Sequence, residues 1–338
     1  MLVRIIVCLI ILFSFIGTPS QAGMEEYFME PGKFKIELSY KYEKSEDYYN
    51  ENGTVMPYWE GINMKRSLHM FYTEVWYGFR RGITVHSLFP IQYNTVSADA
   101  FAFTAEELEE FNRELNEYGI FSVRKYNDAG LGDINFGALF PLSRRENLTS
   151  FLDVTAVFPS GQWDHIDNIV DYPMGRGTYT IQGMWATDYT LLKEFMVGFY
   201  LTYGYSFARD HYMRIPESGE DNAIYTDLKG NLRVDHGNYF MLTGNFEYIF
   251  SRNFQFVFRP SFLHKWGDKV EGYEDVFFTY WLRQKDGHSW LGDAYVRFLG
   301  TGITSEPFID VKVGLYWTML GENVNKQAGF KAILGFYF

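Results

Sequence analysis

Ser67 and His69 stand two residues apart, so in an extended segment they share a face, and a hydroxyl beside an imidazole is the arrangement that hydrolyses acyl esters. Such a pair also needs a third group to orient the base, and the sequence offers no evident candidate. The seven histidines form no His-x-His or His-x-x-x-His pair, so no metal site is expected. Glu217, Glu220, Asp221 and Asp227 are acids of the kind that bind calcium, although solvated loop charge is the default reading of them. There is no glycine-rich phosphate loop. The expectation is a protein without catalytic residues, cofactor or metal, with a lipid-modifying activity at Ser67 and His69 as the outlying alternative.

What remains is electrostatic chemistry. Glu37, Glu74, Asp133, Asp153, Asp188, Glu247, Arg259, Asp293, Arg297, Asp310, Lys312 and Lys331 occur within alternating stretches, on the parity opposite the large apolar residues. A soluble sandwich turns its charges outward. Here the continuous apolar face is the one suited to the outside, and the charges become candidates to line an enclosed lumen.

The elements that must position them are strands. Period-two apolar runs cover 34–42, 71–77, 83–91, 134–140, 152–158, 179–189, 195–207, 240–248, 254–262, 290–298, 309–317 and 330–338, twelve in all. Short connections such as Arg80–Arg81–Gly82 alternate with long polar ones such as 159–176 and 208–234. No stretch approaches 18 consecutive apolar residues beyond the start of the chain, and aromatic residues make up 20%. Backbone groups in hydrocarbon must be paired, which leaves a closed barrel as the way such strands cross a membrane. The fold class expected is all-β: a 12-stranded antiparallel transmembrane β-barrel with one short helix in a long extracellular loop, both termini being periplasmic.

Residues 1–22 read as a signal peptide, with Arg4, an apolar run from Ile5 to Ile16 and small residues at Ser20 and Ala22; residues 23–338 form one barrel domain. The only cysteine, Cys8, falls in that leader, so cysteine chemistry is excluded from the rest. Without Arg4 the chain keeps 29 basic against 42 acidic residues, which argues against nucleic acid as a partner.

The longest connection, about 95–130, joins the third and fourth runs. Thr104 and Glu107 make a capping box, Gly119 suits a C-terminal cap, and Leu108, Phe111, Leu115 and Tyr118 form an apolar stripe opposite an acidic face. A loop this long implies a lid, plug or binding element, and these four residues are the lid candidates. Pro90 and Pro260 lie inside runs three and nine. Proline lacks a ladder donor, so both are candidates for a lateral opening, with an interrupted ladder expected around Phe89 to Ile91.

The chain ends Phe330-Lys-Ala-Ile-Leu-Gly-Phe-Tyr-Phe338, which resembles the terminal signature of bacterial outer-membrane barrels, read by their insertion machinery through the last aromatic residue. The G-L-G-D motif at Gly130–Asp133 and the F-P-S-G motif at Phe158–Gly161 resemble those of outer-membrane transporters associated with the meta-pathway of phenol degradation, related in shape to long-chain fatty-acid channels. That resemblance implies the bacterial outer membrane, contact with lipid and lipopolysaccharide, and passive uptake of small hydrophobic or aromatic solutes by a monomer. A general or cation-leaning diffusion pore is the alternative.

Overall fold

The structure, a computed structural model, describes residues 28–57, 63–99, 104–122, 126–145, 147–162, 166–168, 174–215, 226–251, 253–272, 286–301 and 307–338. The signal segment and the acids Glu217, Glu220 and Asp221 lie outside them. In chain order the strands are β1 (Phe34–Tyr49), β2 (Val55–Pro57), β3 (Asn63–Gly78), β4 (Thr84–Asp99), β5 (Tyr126–Leu131), β6 (Ile134–Arg145), β7 (Leu148–Phe158), β8 (Thr180–Leu192) and β9 (Phe195–Ser206). They continue as β10 (Arg209–Arg214), β11 (Lys229–Asp235), β12 (Tyr239–Ser251), β13 (Phe254–Lys265), β14 (Lys269–Glu271), β15 (Gly287–Thr301), β16 (Pro307–Glu322) and β17 (Val324–Tyr337). One helix, α1 (Ala105–Glu117), follows β4.

Twelve strands pair antiparallel in the order β17-β16-β15-β13-β12-β9-β8-β7-β6-β4-β3-β1, and β1 returns to pair with β17. The barrel is therefore closed and has no edge. At the seam the Phe34 amide donates to the Phe338 carbonyl (3.1 Å), the Phe338 amide donates back (2.8 Å), and the two rings stack at 4.8 Å. Phe338 thus closes the seam between β17 and the start of β1.

Alternation sorts the side chains. Leu38, Phe71, Val85, Ile91, Phe136, Leu152, Ile181, Leu201, Phe246, Phe256, Val313, Leu315 and Phe330 are exposed on the outer wall, where hydrocarbon rather than water is their favourable neighbour. Residues of the opposite parity face inward and include buried Glu37, Asp153, Asp188, Glu247, Arg297, Asp310 and Lys312. Among the described residues no helix is long and apolar enough to cross a membrane; the strands do so.

The strands are longer than their apolar runs. β1 and β4 have 16 residues each, whereas about 9–11 tilted residues span a bilayer. Above the membrane an outer face need not be apolar, so alternation fades while pairing continues. For the same reason segment 208–234 is not simply a loop: β10, β11 and β14 form a three-stranded sheet around Ile215, Leu232, Val234 and Val270. β16 and β17 also turn directly at Asn323 (φ 51°).

Candidate functional site

The interior has two unlike linings. On the side of β1, β15 and β16, Lys35 Nζ lies 2.9 Å from Glu37 and 3.6 Å from Asp310, and Lys312 lies 3.4 Å and 3.5 Å from the same two acids. Arg297 grips Asp310 with Nε and Nη2, both at 3.0 Å. These five side chains are buried. Charges withdrawn from water this far are tolerated when each is paired, and removing one partner strands the others. Further along the wall Lys331 meets Asp293 at 2.5 Å, Arg259 donates to Asn245 (2.9 Å), and Asn245 and Tyr200 both reach Asp188.

On the opposite side, Leu139, Phe151, Ala186 and Tyr200 form an apolar cluster joined by Trp76, Met184 and Phe28. Phe28 precedes β1. Its ring meets Phe151 edge-on at 5.6 Å and lies 3.9 Å beneath the Arg144 guanidinium, while the next amide, Met29, donates to the buried Thr84 hydroxyl at 2.9 Å. A Cβ at Gly78 would stand 1.9 Å from the Glu30 carbonyl oxygen, so glycine is what lets this leading segment fold against the barrel. Between the two linings, His86 lies 3.1 Å from Asp153 and 3.6 Å from Glu74.

Asp133 stands apart from these networks. It occupies the step between β5 and β6, and its carboxylate accepts from the amides of Gly161 (3.1 Å) and Arg176 (2.6 Å). Beside it, the Ser160 hydroxyl donates to the Gly132 carbonyl (2.8 Å) and accepts from the Ile134 amide (3.0 Å). The two short motifs at 130–133 and 158–161 therefore meet in one device, in which a loop serine takes the place of a neighbouring strand. Glycines allow the approach: a Cβ on Gly130 would lie 2.7 Å from Met174 Sδ, and one on Gly175 2.1 Å from Asp133 Oδ1.

At this device the wall changes register. β4 pairs with β6 up to Leu88↔Asn135 and with β5 from Ile91↔Leu131. Phe89 and Pro90 thus face three residues, Gly132, Asp133 and Ile134, which is a β-bulge. Toward β3 the pairing runs unbroken through Pro90↔Tyr72, so the interruption expected around Phe89 to Ile91 affects one neighbour only. The Gly132 amide donates to the Pro90 carbonyl at 2.9 Å, and the side that proline leaves without a donor is the broken side. Pro260 behaves alike: β13 pairs continuously with β15, but its pairing with β12 skips from Phe246↔Phe258 to Thr243↔Ser261.

α1 carries the expected capping box, with the Glu107 amide donating to Thr104 Oγ1 (3.2 Å) and the Thr104 amide to Glu107 (2.6 Å). The Ile120 amide closes on the Leu115 carbonyl across Gly119, which adopts φ +66°. Leu115 is fully buried; Leu108, Phe111 and Tyr118 are half-buried. The Phe121 amide donates to the Asp167 carbonyl (2.7 Å), and the Asp167 carboxylate holds Arg214 of β10 and Lys229 of β11, the latter at 2.7 Å. Burial works against that carboxylate, but hydrogen bonds from Lys229 and Arg214 keep its pKa below the ordinary value. The helix loop, the β7–β8 loop and the extracellular sheet are thereby tied together.

Among the described residues no hydrogen bond joins Ser67 to His69. His69 Nδ1 shares a hydrogen bond with the Tyr40 hydroxyl (2.8 Å), and its ring packs with Tyr40, Tyr42 and Tyr93. Asp227 is exposed.

The chain is similar to the COG4313 outer membrane channel from Pseudomonas putida F1, with a TM-score of 0.66 and 12% identity over 93% of this chain and 98% of that one. The CymD monoaromatic hydrocarbon channel superposes with a TM-score of 0.39 at 9% identity, covering 91% and 88%, and the KdgM porin with 0.37 at 8%, covering 89% and 99%. The first likeness is one of fold. No family model and no curated protein matches the sequence.

Proposed function

We propose that this chain is an outer-membrane channel for passive uptake of small hydrophobic or aromatic compounds, which leave the lumen sideways through the wall. The observation that carries the reading is the bulge at Pro90 and Gly132, where a broken ladder adjoins the long helical loop. The fold shared with a protein described as an outer membrane channel supports it. So does the interior: paired charges on one side and an apolar cluster with Phe28 on the other make a poor straight path for hydrated solutes. An apolar molecule gains more from entering the membrane than from crossing into water.

Glu37, Glu74, Asp153, Asp188, Glu247, Arg259, Asp293, Arg297, Asp310, Lys312 and Lys331 line the lumen, and Asp133 steadies the loop beside the opening. Leu108, Phe111, Leu115 and Tyr118 seat α1 as a lid on the extracellular side. Phe338 addresses the chain to the barrel-insertion machinery, and the protein works as a monomer without enzymatic activity. Planar-bilayer conductance and toluene uptake, each measured for the whole chain and for a deletion of 101–118, test this. Low conductance with uptake that rises on deletion is expected. A large, steady, ohmic conductance in the whole chain would instead establish a general diffusion pore.

A further inference from the structure

The extracellular sheet is fastened to the barrel by a group of side chains that permeation does not use. His211 lies on β10 and His236 between β11 and β12, and their Nε2 atoms face each other 3.4 Å apart. The rings cross at 76° with centroids 5.3 Å apart, and both residues are buried. On the far side of His236, Nδ1 lies 3.2 Å from Asp268 Oδ2. Asp268 is itself fixed by the Gly237 amide (3.0 Å) and by Lys265 Nζ (2.8 Å).

A carboxylate on Nδ1 is the usual outer support of a metal-binding histidine, because it fixes the tautomer and turns the Nε2 lone pair toward the ligand. The spacing agrees as well. Two imidazole nitrogens bound tetrahedrally to one ion at ~2.0–2.1 Å lie about 3.3 Å from each other, whereas direct N–H hydrogen bonds centre on about 2.9–3.0 Å.

We propose that His211 and His236 bind one divalent transition-metal cation, of the zinc, nickel or copper type that imidazole favours, through their two Nε2 atoms, with water completing the coordination. Among the described residues no three His, Cys, Asp or Glu side chains converge on a common point, so the protein supplies two ligands and Asp268 supports one of them. When the ion is bound, each imidazole carries its one proton on Nδ1, that of His236 directed at Asp268. The ion would join β10 to the β11–β12 link and, through Asp268, to the strand end after β13.

Equilibrium dialysis of the tag-free, detergent-solubilised full chain against zinc chloride tests the site. One zinc per chain is expected, lost in both His211→Ala and His236→Ala and weakened about 10- to 100-fold in Asp268→Asn. Zinc should also slow amide exchange across Arg209–Arg214 and Lys229–Asp235 in the unmodified chain, a readout that does not depend on any variant folding. Stoichiometric zinc retained at equal affinity in His211→Ala, no binding up to millimolar zinc, or unchanged exchange in zinc-saturated protein would each overturn the proposal.

Discussion

Pro90 and Pro260 sit in the same structural predicament and resolve it differently. Each stands mid-strand, pairs normally with one neighbour and loses its ladder to the other. At Pro260 two residues, Arg259 and Pro260, face two, Gly244 and Asn245, so the register resumes unchanged. The same two strands stitch the gap themselves, with Arg259 on Asn245 (2.9 Å) and Thr243 on Ser261 (2.8 Å). At Pro90 two residues face three, and the gap is bridged by Ser160 from beyond β7. A missing donor costs a hydrogen bond; an extra residue displaces a wall. The comparison teaches that proline alone does not make an opening, and that the candidate gate lies in the glycine-bearing strand opposite it.

The sharpest way to break this comparison is to remove the extra residue. Deleting Gly132 should let two residues face two, as at Pro260, and bring toluene uptake by cells to background while heat-modifiable migration shows a folded barrel. Undiminished uptake would mean that solutes take another path. Next in size is the loss of the bridge. Ser160→Ala removes two hydrogen bonds, to the Gly132 carbonyl and from the Ile134 amide, at about 0.5–1.5 kcal/mol each. Ser261→Ala removes one hydroxyl contact within an intact register, and should cost no more than about 1 kcal/mol. Urea midpoints of the two variants in the same detergent compare them directly, and equal losses would erase the distinction.

Restoring a donor should have a smaller effect, and an unequal one. In Pro260→Val the new amide faces a strand in register and can regain about 0.5–1.5 kcal/mol. In Pro90→Val it faces the bulge, where the Gly132 carbonyl already accepts from Ser160, and unfolding should not shift measurably. Equal stabilisation by both substitutions would show that proline, rather than the extra residue, sets the geometry at Pro90.

Much of the barrel was legible because hydrocarbon enforces a strict rule: Phe330, Ala332, Leu334 and Phe336 alternate as β17 requires, and the capping box of Thr104 and Glu107 is local chemistry. Legibility stopped where that rule stops. β10 and β11 stand above the membrane, with no lipid to impose an apolar face, and their region reads as a polar loop. Phe28 carries no period that would mark it, and its contacts with Phe151 and Arg144 are more than a hundred residues away. Gly132 and Ser160 were visible as two motifs, but their hydrogen bonds depend on a register shift that no spacing reveals. His211 and His236 are 25 residues apart, too distant for any local pattern to unite them.

The last and smallest effect expected comes from acid, and it acts on what holds the Pro260 break shut from above. β12 and β13 are clamped just beyond their paired ends, where the Trp266 amide donates to the Asn238 carbonyl (2.9 Å) and His236 meets Asp268. β4 and β5 have no such histidine clamp among the described residues. His211, held down to about 4 in the fold, takes up protons near 6.5 once unfolded. Between these values the unfolded segment binds more protons than the folded one, so the contribution of His211 is complete above about pH 6.5 and falls away as pH drops toward 4. Asp268, held at about 2, contributes in the same direction but only below about pH 4. Taking the metal-free protein from pH 7 to pH 5 should therefore speed opening of Arg209–Arg214 and Lys229–Asp235, once exchange rates are corrected for intrinsic pH dependence, and leave Tyr126–Leu131 unchanged. His211→Asn should abolish the difference between the two regions. If Tyr126–Leu131 loosens equally, the clamp is not what distinguishes the two breaks, and the register shift alone must account for it.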